Sequence, residues 1–264
     1  MPPVGSRNPF LTPSQRAHTV VVIPARFEST RLPGKPLADI AGAPMIEHVY
    51  RRAAAAQGVD AVVVAADDQR IIDAVQRFGG VARMTSPAHR TGTDRVAEVA
   101  AELPCEIVVN LQGDEPFIEP VMLADLVAPF ADPGVQMSTL RHALADPREH
   151  ADPHVVKVVV DRHGDALYFS RAPIPGARDA GPRPGPAGTT WKHVGVYGFR
   201  RDFLLTFSRL AQTPLELTES LEQLRALEHG YRIRTVATDY DSIGVDTPED
   251  LERARRRMAA GVRA

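Results

Sequence analysis

The densest chemistry in the chain lies in Pro24-Ala25-Arg26-Phe27-Glu28-Ser29-Thr30-Arg31-Leu32-Pro33-Gly34-Lys35-Pro36. This segment follows a short β-branched run, Thr19–Ile23, and so sits at the carboxyl end of a predicted strand. Open α/β sheets bind their ligands at that end. Arg26, Arg31 and Lys35 place three cations within ten residues. Such a group repels itself unless an anion joins it, and a polyphosphate meets that need. A solvated basic loop is the plainer alternative. Lysine is scarce here: Lys35, Lys157 and Lys192 stand against 28 arginines, which singles out the lysine of this loop. The segment is neither a Walker A loop nor a G-x-G-x-x-G dinucleotide fingerprint.

Two acids complement the basic loop. Asp114, in Gln112-Gly113-Asp114-Glu115-Pro116, follows the apolar run Ile107–Leu111. An acid at a strand's carboxyl end suits a hard cation such as Mg²⁺, although a turn acid or a helix cap has the same look. Asp246 stands one residue before Thr247-Pro248, the N-cap and first-turn proline of a predicted helix. Thr247 is then the cap, and Asp246 is left to face a cleft. A fourth segment, His89-Arg90-Thr91-Gly92-Thr93-Asp94-Arg95, is small and polar and opens another predicted helix.

The elements that must position these groups alternate. Thr19–Ile23, Ala61–Ala65 and Ile107–Leu111 are unbroken apolar runs, as expected for strands of a parallel sheet buried on both faces. Helical periodicity falls between and beside them, over 44–57, 68–78 and 93–103. This is the α/β pattern. The second half is less regular. It has strand-like runs at 155–160, 166–169, 194–199 and 233–237, a predicted helix over 218–229 with Gly230 as its stop, and a final helix from Thr247. Residues 173–188 hold five prolines and four glycines, so a long loop is expected there.

Composition narrows the function. The chain has 264 residues, 24% of them charged, a formal net charge of −2 and one cysteine, Cys105. A disulfide framework or a Cys-rich zinc site within one chain is excluded. The charge balance argues against a broad nucleic-acid surface. No apolar run reaches the length of a membrane span. Residues 1–18 are proline-rich without apolar periodicity and read as a disordered extension. They lack the apolar stretch of a secretory signal, so cytoplasmic residence is expected.

IPARFESTRLPGKPL, HRTGTDR, NLQGDEP, KVVVDRHGDALYFSRAPIP, KHVGVYGFR, LEQLRALEHG and GVDTPEDLERAR follow one another in this order. Together they resemble the CMP-Kdo synthetases, the 3-deoxy-manno-octulosonate cytidylyltransferases of the nucleotide-diphospho-sugar transferase superfamily. The resemblance runs from residue 20 to residue 257 and skips the Pro/Gly loop at 176–190. It implies a mostly parallel Rossmann-like sheet flanked by helices, with a smaller mixed sheet and loop subdomain. It implies one nucleotidyltransferase domain over 19–258: a nucleotide-binding half at 19–150, an acceptor-binding and dimer-forming part at 151–240, and the metal acid with the C-terminal helix at 241–258. The activity implied is transfer of CMP from CTP to 3-deoxy-D-manno-octulosonate (Kdo), with Mg²⁺, in a homodimer with no nucleic-acid or membrane partner.

Carried over by position, the resemblance assigns Arg26, Ser29, Arg31 and Lys35 to the CTP phosphates and Ala25 to the nucleotide site, with Arg26, Lys35, Asp114 and Asp246 catalytic. It places Arg90, Thr91, Gly92, Thr93 and Gln112 by the cytidine. Asp114 and Asp246 become the metal carboxylates, and Arg171, His193, Tyr197, Glu222 and Gln223 surround the sugar acid. For Arg171 the plainer alternative is an ion pair with Asp161 or Asp165. An enzyme activating sialic acid is the near rival, and LPGKP speaks for Kdo.

Overall fold

The computed structural model describes residues 17–29, 31–144, 146–176, 190–241 and 244–260. They divide into two compact units, Met1–Ala124 with Ser242–Ala264, and Asp125–Asp241. The first contains β1 (Ala17–Ala25), a two-stranded ribbon of β2 (Asp39–Ile40) and β3 (Ala43–Pro44), α1 (Met45–Ala54), β4 (Ala61–Ala66), α2 (Gln69–Arg77), β5 (Ala82–Met84), α3 (Gly92–Ala101) and β6 (Cys105–Asn110). The chain leaves it along α4 (Pro120–Val127). The second contains β7 (Met137–Ala143), α5 (Pro147–Ala151), β8 (Lys157–Val160), β9 (Ala166–Ser170), β10 (Trp191–Arg200), α6 (Arg201–Phe207), α7 (Pro214–Glu219), α8 (Leu224–Glu228) and β11 (Arg234–Thr238). The last helix, α9 (Pro248–Ala259), belongs to the first unit again.

In the first unit β1 pairs in parallel with β4 on one side and β6 on the other, and β4 pairs in parallel with β5. Val20–Ile23 and Val63–Ala66 are buried without alternation, because helices cover the sheet and no face meets water. The same β-branched residues that favour the pleated backbone thus fill the core. α9 returns Leu251 and Ala254 to a cluster with Ile40, Met45, Phe117 and Val245, which fixes the start of that helix relative to the loop after β6. β1 extends two residues past the predicted run, through Pro24. Its pairing with β6 ends at Val22, so the missing N–H of Pro24 costs nothing on that side.

The second unit is a mixed sheet. β7 pairs in parallel with β11 and antiparallel with β10, while β8 lies antiparallel between β10 and β9. β10 carries a bulge: Val194 faces Leu140 and Tyr197 faces Thr139, leaving Gly195 and Val196 as extra residues. Beyond it, a side chain at Gly198 has no room. A Cβ there would stand 2.6 Å from Ser138 Oγ and 2.8 Å from the Phe130 ring. Ser138 Oγ is held by its bond to the Leu126 carbonyl at 2.7 Å and cannot readily turn away. Gly198→Ala is therefore expected to lower stability by about 1–3 kcal/mol, the usual cost of overpacking. Urea unfolding checks this, and an unchanged midpoint would contradict the close approach.

Two expectations need adjustment. The helix predicted over 218–229 is two helices. Ser220 takes a left-handed conformation (φ 52°) and ends α7, and the chain turns helical again at Leu224. α7 starts earlier, at Thr213-Pro214, where Thr213 and Glu216 form a capping box. The extension at 1–18 gives way to strand at Ala17, and its preceding residues lie outside those described. Residues 177–189 of the Pro/Gly loop also lie outside the described residues.

Candidate active site

The loop after β1 turns back on itself at Gly34, whose left-handed backbone (φ 66°) brings its N–H to the Phe27 carbonyl at 3.1 Å. The short helical turn Lys35–Leu37 starts there and aims Lys35 inward. Lys35 Nζ donates to Asp114 Oδ2 at 2.5 Å and to Asp246 Oδ1 at 2.9 Å. Asp114 stands just past β6 and Asp246 just before α9, 132 residues later in the chain. A main-chain bond from Val245 N–H to the Asp114 carbonyl at 2.9 Å locks these two segments side by side. Thr247 caps α9 with Asp250, so the Asp246 carboxylate is free of capping and turns to the lysine. Arg31 adds a second cation, 3.3 Å from Asp246 Oδ1. Burial works against the charge of Lys35, and the two carboxylates outweigh it, raising its pKa above the ordinary lysine value.

A second network shapes the start of the loop. Asp67, just past β4, accepts the Phe27 N–H at 3.0 Å and with its other oxygen holds Arg95 Nη2 at 3.1 Å. The Arg95 side chain is fully buried, and its other terminal nitrogen meets Thr85 Oγ1. Burial depresses the Arg95 pKa, with Asp67 acting in the opposite direction. Arg26 itself reaches the His89 carbonyl at 3.1 Å, and the His89 ring is held by Glu98. Asp67→Asn removes the counter-charge of a buried guanidinium while preserving size. It is expected to cost about 1–3 kcal/mol of stability and to weaken binding of a polyphosphate ligand through a looser loop. Thermal melts and calorimetric titration test this; wild-type values in both would refute the role.

The helix α3 opens the third part. Thr91 caps it in a box with Asp94, leaving Gly92 and Thr93 in the first turn. Gly92 lies close to Pro24 and to Gln112 Oε1. Gln112 Nε2 donates to Asn110 Oδ1 at 3.1 Å, and the buried Asn110 amide donates to Thr93 Oγ1 at 3.2 Å. The Arg90 side chain is exposed, Ser29 Oγ accepts the Leu32 N–H at 3.4 Å, and Ala25 is buried at the end of β1. The predicted nucleotide residues thus converge in the first unit, around the carboxyl ends of β1 and β6. Among the described residues no cluster of three or more His, Cys, Asp or Glu side chains forms a metal cage.

The predicted sugar residues gather in the second unit. His193 packs edge-on against Phe169, with ring centres 5.0 Å apart, and lies 5.4 Å from Tyr197. Burial drives the His193 pKa down to about 3, so the ring is neutral at working pH. Burial, with Glu222 nearby, raises the Tyr197 pKa. Gln223 is buried beside Glu222. Arg171 pairs with neither Asp161 nor Asp165. Its guanidinium donates to the carbonyls of Glu219 at 2.8 Å and Pro153 at 3.1 Å, while Asp165 takes Arg234. Its own N–H is held by the Glu219 carboxylate at 2.8 Å, and its carbonyl accepts from the buried Lys157 at 2.5 Å. Lys157 Nζ also donates to the Asp152 and Val155 carbonyls, so it braces the backbone at Arg171. Asp67, Glu98 and Lys157 were not among the predicted site residues. Their roles arise from long-range pairing, and the scarcity of lysine was the only signal for any of them.

The family model described as Cytidylyltransferase matches residues 20–233. A 3-deoxy-manno-octulosonate cytidylyltransferase of Geobacter metallireducens is 54% identical over 245 residues, covering 90% of this chain and 96% of that protein. Its counterpart in Solibacter usitatus is 54% identical over 243 residues, covering 91% and 94%. A solved CMP:2-keto-3-deoxy-manno-octonic acid synthetase complexed with CTP superposes with a TM-score of 0.87 at 48% identity, over 93% of this chain and all of that one. A 4-diphosphocytidyl-2C-methyl-D-erythritol synthase from Anaerococcus prevotii shares the fold at 14% identity, with a TM-score of 0.60 and coverage of 92% and 96%. A basic loop closed onto two carboxylates, read with these likenesses, has one conclusion: the chain belongs to the cytidylyltransferase family, among the 3-deoxy-manno-octulosonate cytidylyltransferases.

Proposed function

We propose that this protein transfers CMP from CTP to 3-deoxy-D-manno-octulosonate, giving CMP-Kdo and pyrophosphate for lipopolysaccharide synthesis. The observation that carries the reading is the convergence of Asp114 and Asp246 on one cation, Lys35 Nζ, within the basic loop. In the reaction the acceptor's anomeric oxygen attacks the α-phosphorus of CTP and forms a new O–P bond. The bridging bond to the β-phosphate breaks, pyrophosphate leaves with the electron pair, and the hydroxyl proton passes to solvent.

The residues fit Mg²⁺. The ion prefers one or two carboxylates together with substrate phosphates and water, and two carboxylates already share one positive charge here. Asp114 and Asp246 would hold it. When bound, it neutralises phosphate charge and acidifies the acceptor hydroxyl. Arg26, Arg31 and Lys35 then neutralise the remaining phosphate oxygens, with Ser29 and the main chain at Ala25 completing the loop. Gln112 and the Arg90–Thr93 turn orient the cytidine. Positioning and charge stabilisation supply most of the rate in phosphoryl transfer. In the second unit, Arg171 matches the acceptor's carboxylate and His193, Tyr197, Glu222 and Gln223 read its hydroxyls.

A homodimer in the cytoplasm accompanies this reading. The exposed Leu167, Leu215 and Leu217 of the second unit offer apolar surface of the kind a dimer covers, and no helix among the described residues is long and apolar enough to cross a membrane. Sedimentation tests the dimer. For the activity, pyrophosphate release is measured with CTP, UTP, ATP and GTP, each against Kdo and N-acetylneuraminate. Release with CTP and Kdo alone is expected. Release with N-acetylneuraminate would move the assignment to the sialate enzymes, and none with any pair would end it.

A further inference from the structure

The bulge in β10 gives a buried threonine an unusual set of neighbours. Thr139 is completely buried in β7, paired with Tyr197 and next to the extra residues Gly195 and Val196. Its hydroxyl lies 2.8 Å from the Val196 carbonyl and 3.3 Å from the Val194 carbonyl. It also lies 2.8 Å from His193 Nε2. A hydroxyl has one proton and two lone pairs. Carbonyl oxygens only accept, so the Thr139 proton is committed to them, Val196 being the nearer. The contact with His193 is then satisfied only if Nε2 carries the proton and donates.

We propose that Thr139 is a positioning residue that fixes His193 as the Nε2–H tautomer, leaving the Nδ1 lone pair to accept from a hydroxyl of the acceptor sugar. The proposal rests on the reading of His193 as a sugar-site residue. Burial keeps the ring neutral, with its pKa near 3, so His193 offers no positive charge to a carboxylate. Its selectivity is therefore for a hydroxyl donor, and recognition of the carboxylate falls to a cation such as Arg171. The packing of the ring against Phe169 and Tyr197 restricts its rotation and lets one hydrogen bond determine which nitrogen is bare. Gln223, a second residue of the proposed sugar site, supplies the opposite polarity. It is 3% exposed, and its Nε2 has no hydrogen-bond partner among the described residues, so a donor awaits an acceptor atom of the ligand.

The test reads the tautomer directly. In ¹⁵N-histidine-labelled protein, long-range ¹H–¹⁵N correlation distinguishes Nδ1–H from Nε2–H, and the His193 signals are those lost in His193→Gln. The wild type is expected to show Nε2–H. Thr139→Ser keeps the hydroxyl and should preserve both the tautomer and the KM for Kdo. Thr139→Val should give a mixture of tautomers and raise the KM for Kdo about tenfold, the scale of one neutral hydrogen bond, with the KM for CTP unchanged. A wild-type spectrum with the proton on Nδ1 overturns the proposal. A single Nε2–H form with normal KM in Thr139→Val also overturns it, as does a changed tautomer in Thr139→Ser. If Thr139→Val fails to fold, the wild-type and Thr139→Ser spectra decide. The spectra need no turnover, so a protein inactive toward Kdo would refute the proposed function without deciding the tautomer.

Discussion

Asp114→Asn and Asp246→Asn are each expected to reduce turnover by about two orders of magnitude or more, roughly 3 kcal/mol of transition-state stabilisation. The amide keeps the size of the acid and loses its negative charge, which is what a hard cation requires. The fold should tolerate both changes. The two side chains are partly exposed, and the junction between their segments is made by main-chain atoms, Val245 N–H on the Asp114 carbonyl. Lys35 retains one carboxylate in either variant, so it is not left as an isolated buried charge. Turnover measured at saturating CTP and Mg²⁺, with a melting curve on the same preparation, separates the two effects. Near-normal turnover in either variant would show that the residue is not a metal ligand. A large fall in melting temperature would instead assign it to the fold.

The parts of this site that were legible in the sequence share one property: their chemistry and their position are local. Arg26, Arg31 and Lys35 follow a β-branched run, and such a run in an α/β alternation ends at the ligand-binding edge. Asp246 could be placed because Thr247-Pro248 marks the start of α9, leaving the preceding acid outside the cap. Asp67 carries no such mark. It is one of two adjacent aspartates after β4, and only the fold shows that Asp68 caps α2 while Asp67 turns to Phe27 and Arg95. Thr139 was invisible for a similar reason, since its neighbours are set by a bulge in a strand more than 50 residues away. The break at Ser220 was hidden differently. Leu221, Leu224 and Leu227 keep helical spacing directly after it, and periodicity does not report the one residue whose backbone is left-handed.

That break has a structural support whose removal is the largest stability effect expected. Arg225 in α8 grips Glu216 in α7 with two bonds, Nε to Oε2 at 2.8 Å and Nη2 to Oε1 at 2.5 Å. Both side chains are nearly sealed from water, at 5% and 6% exposure. Arg225→Met removes the charge and leaves the Glu216 carboxylate, among the described residues, with the neutral donors Gln212 amide and Thr213 N–H. The expected loss is about 3–5 kcal/mol, because an uncompensated charge remains buried. A double variant, Arg225→Met with Glu216→Gln, should recover much of it. The pH dependence follows from Glu216. Burial raises its pKa, and the bonds from Arg225 more than reverse this, so the folded value lies below the ordinary one. The stabilisation is then full above the unfolded carboxyl value of about 4.3 and is lost as pH falls through the folded value. In Arg225→Met burial is opposed only by the weaker bonds from Gln212 and Thr213, so the gap between wild type and variant should narrow as the pH falls through the carboxylate range. The effect should reach the proposed sugar site as well. α7 ends in Glu219, whose carboxylate and carbonyl both hold Arg171, so a loosened α7 should raise the KM for Kdo more than that for CTP. Urea unfolding at neutral and acid pH, with both Michaelis constants, tests the argument. A loss under about 1 kcal/mol, within the range of a solvated surface pair, would show that this ion pair does not hold the two helices together.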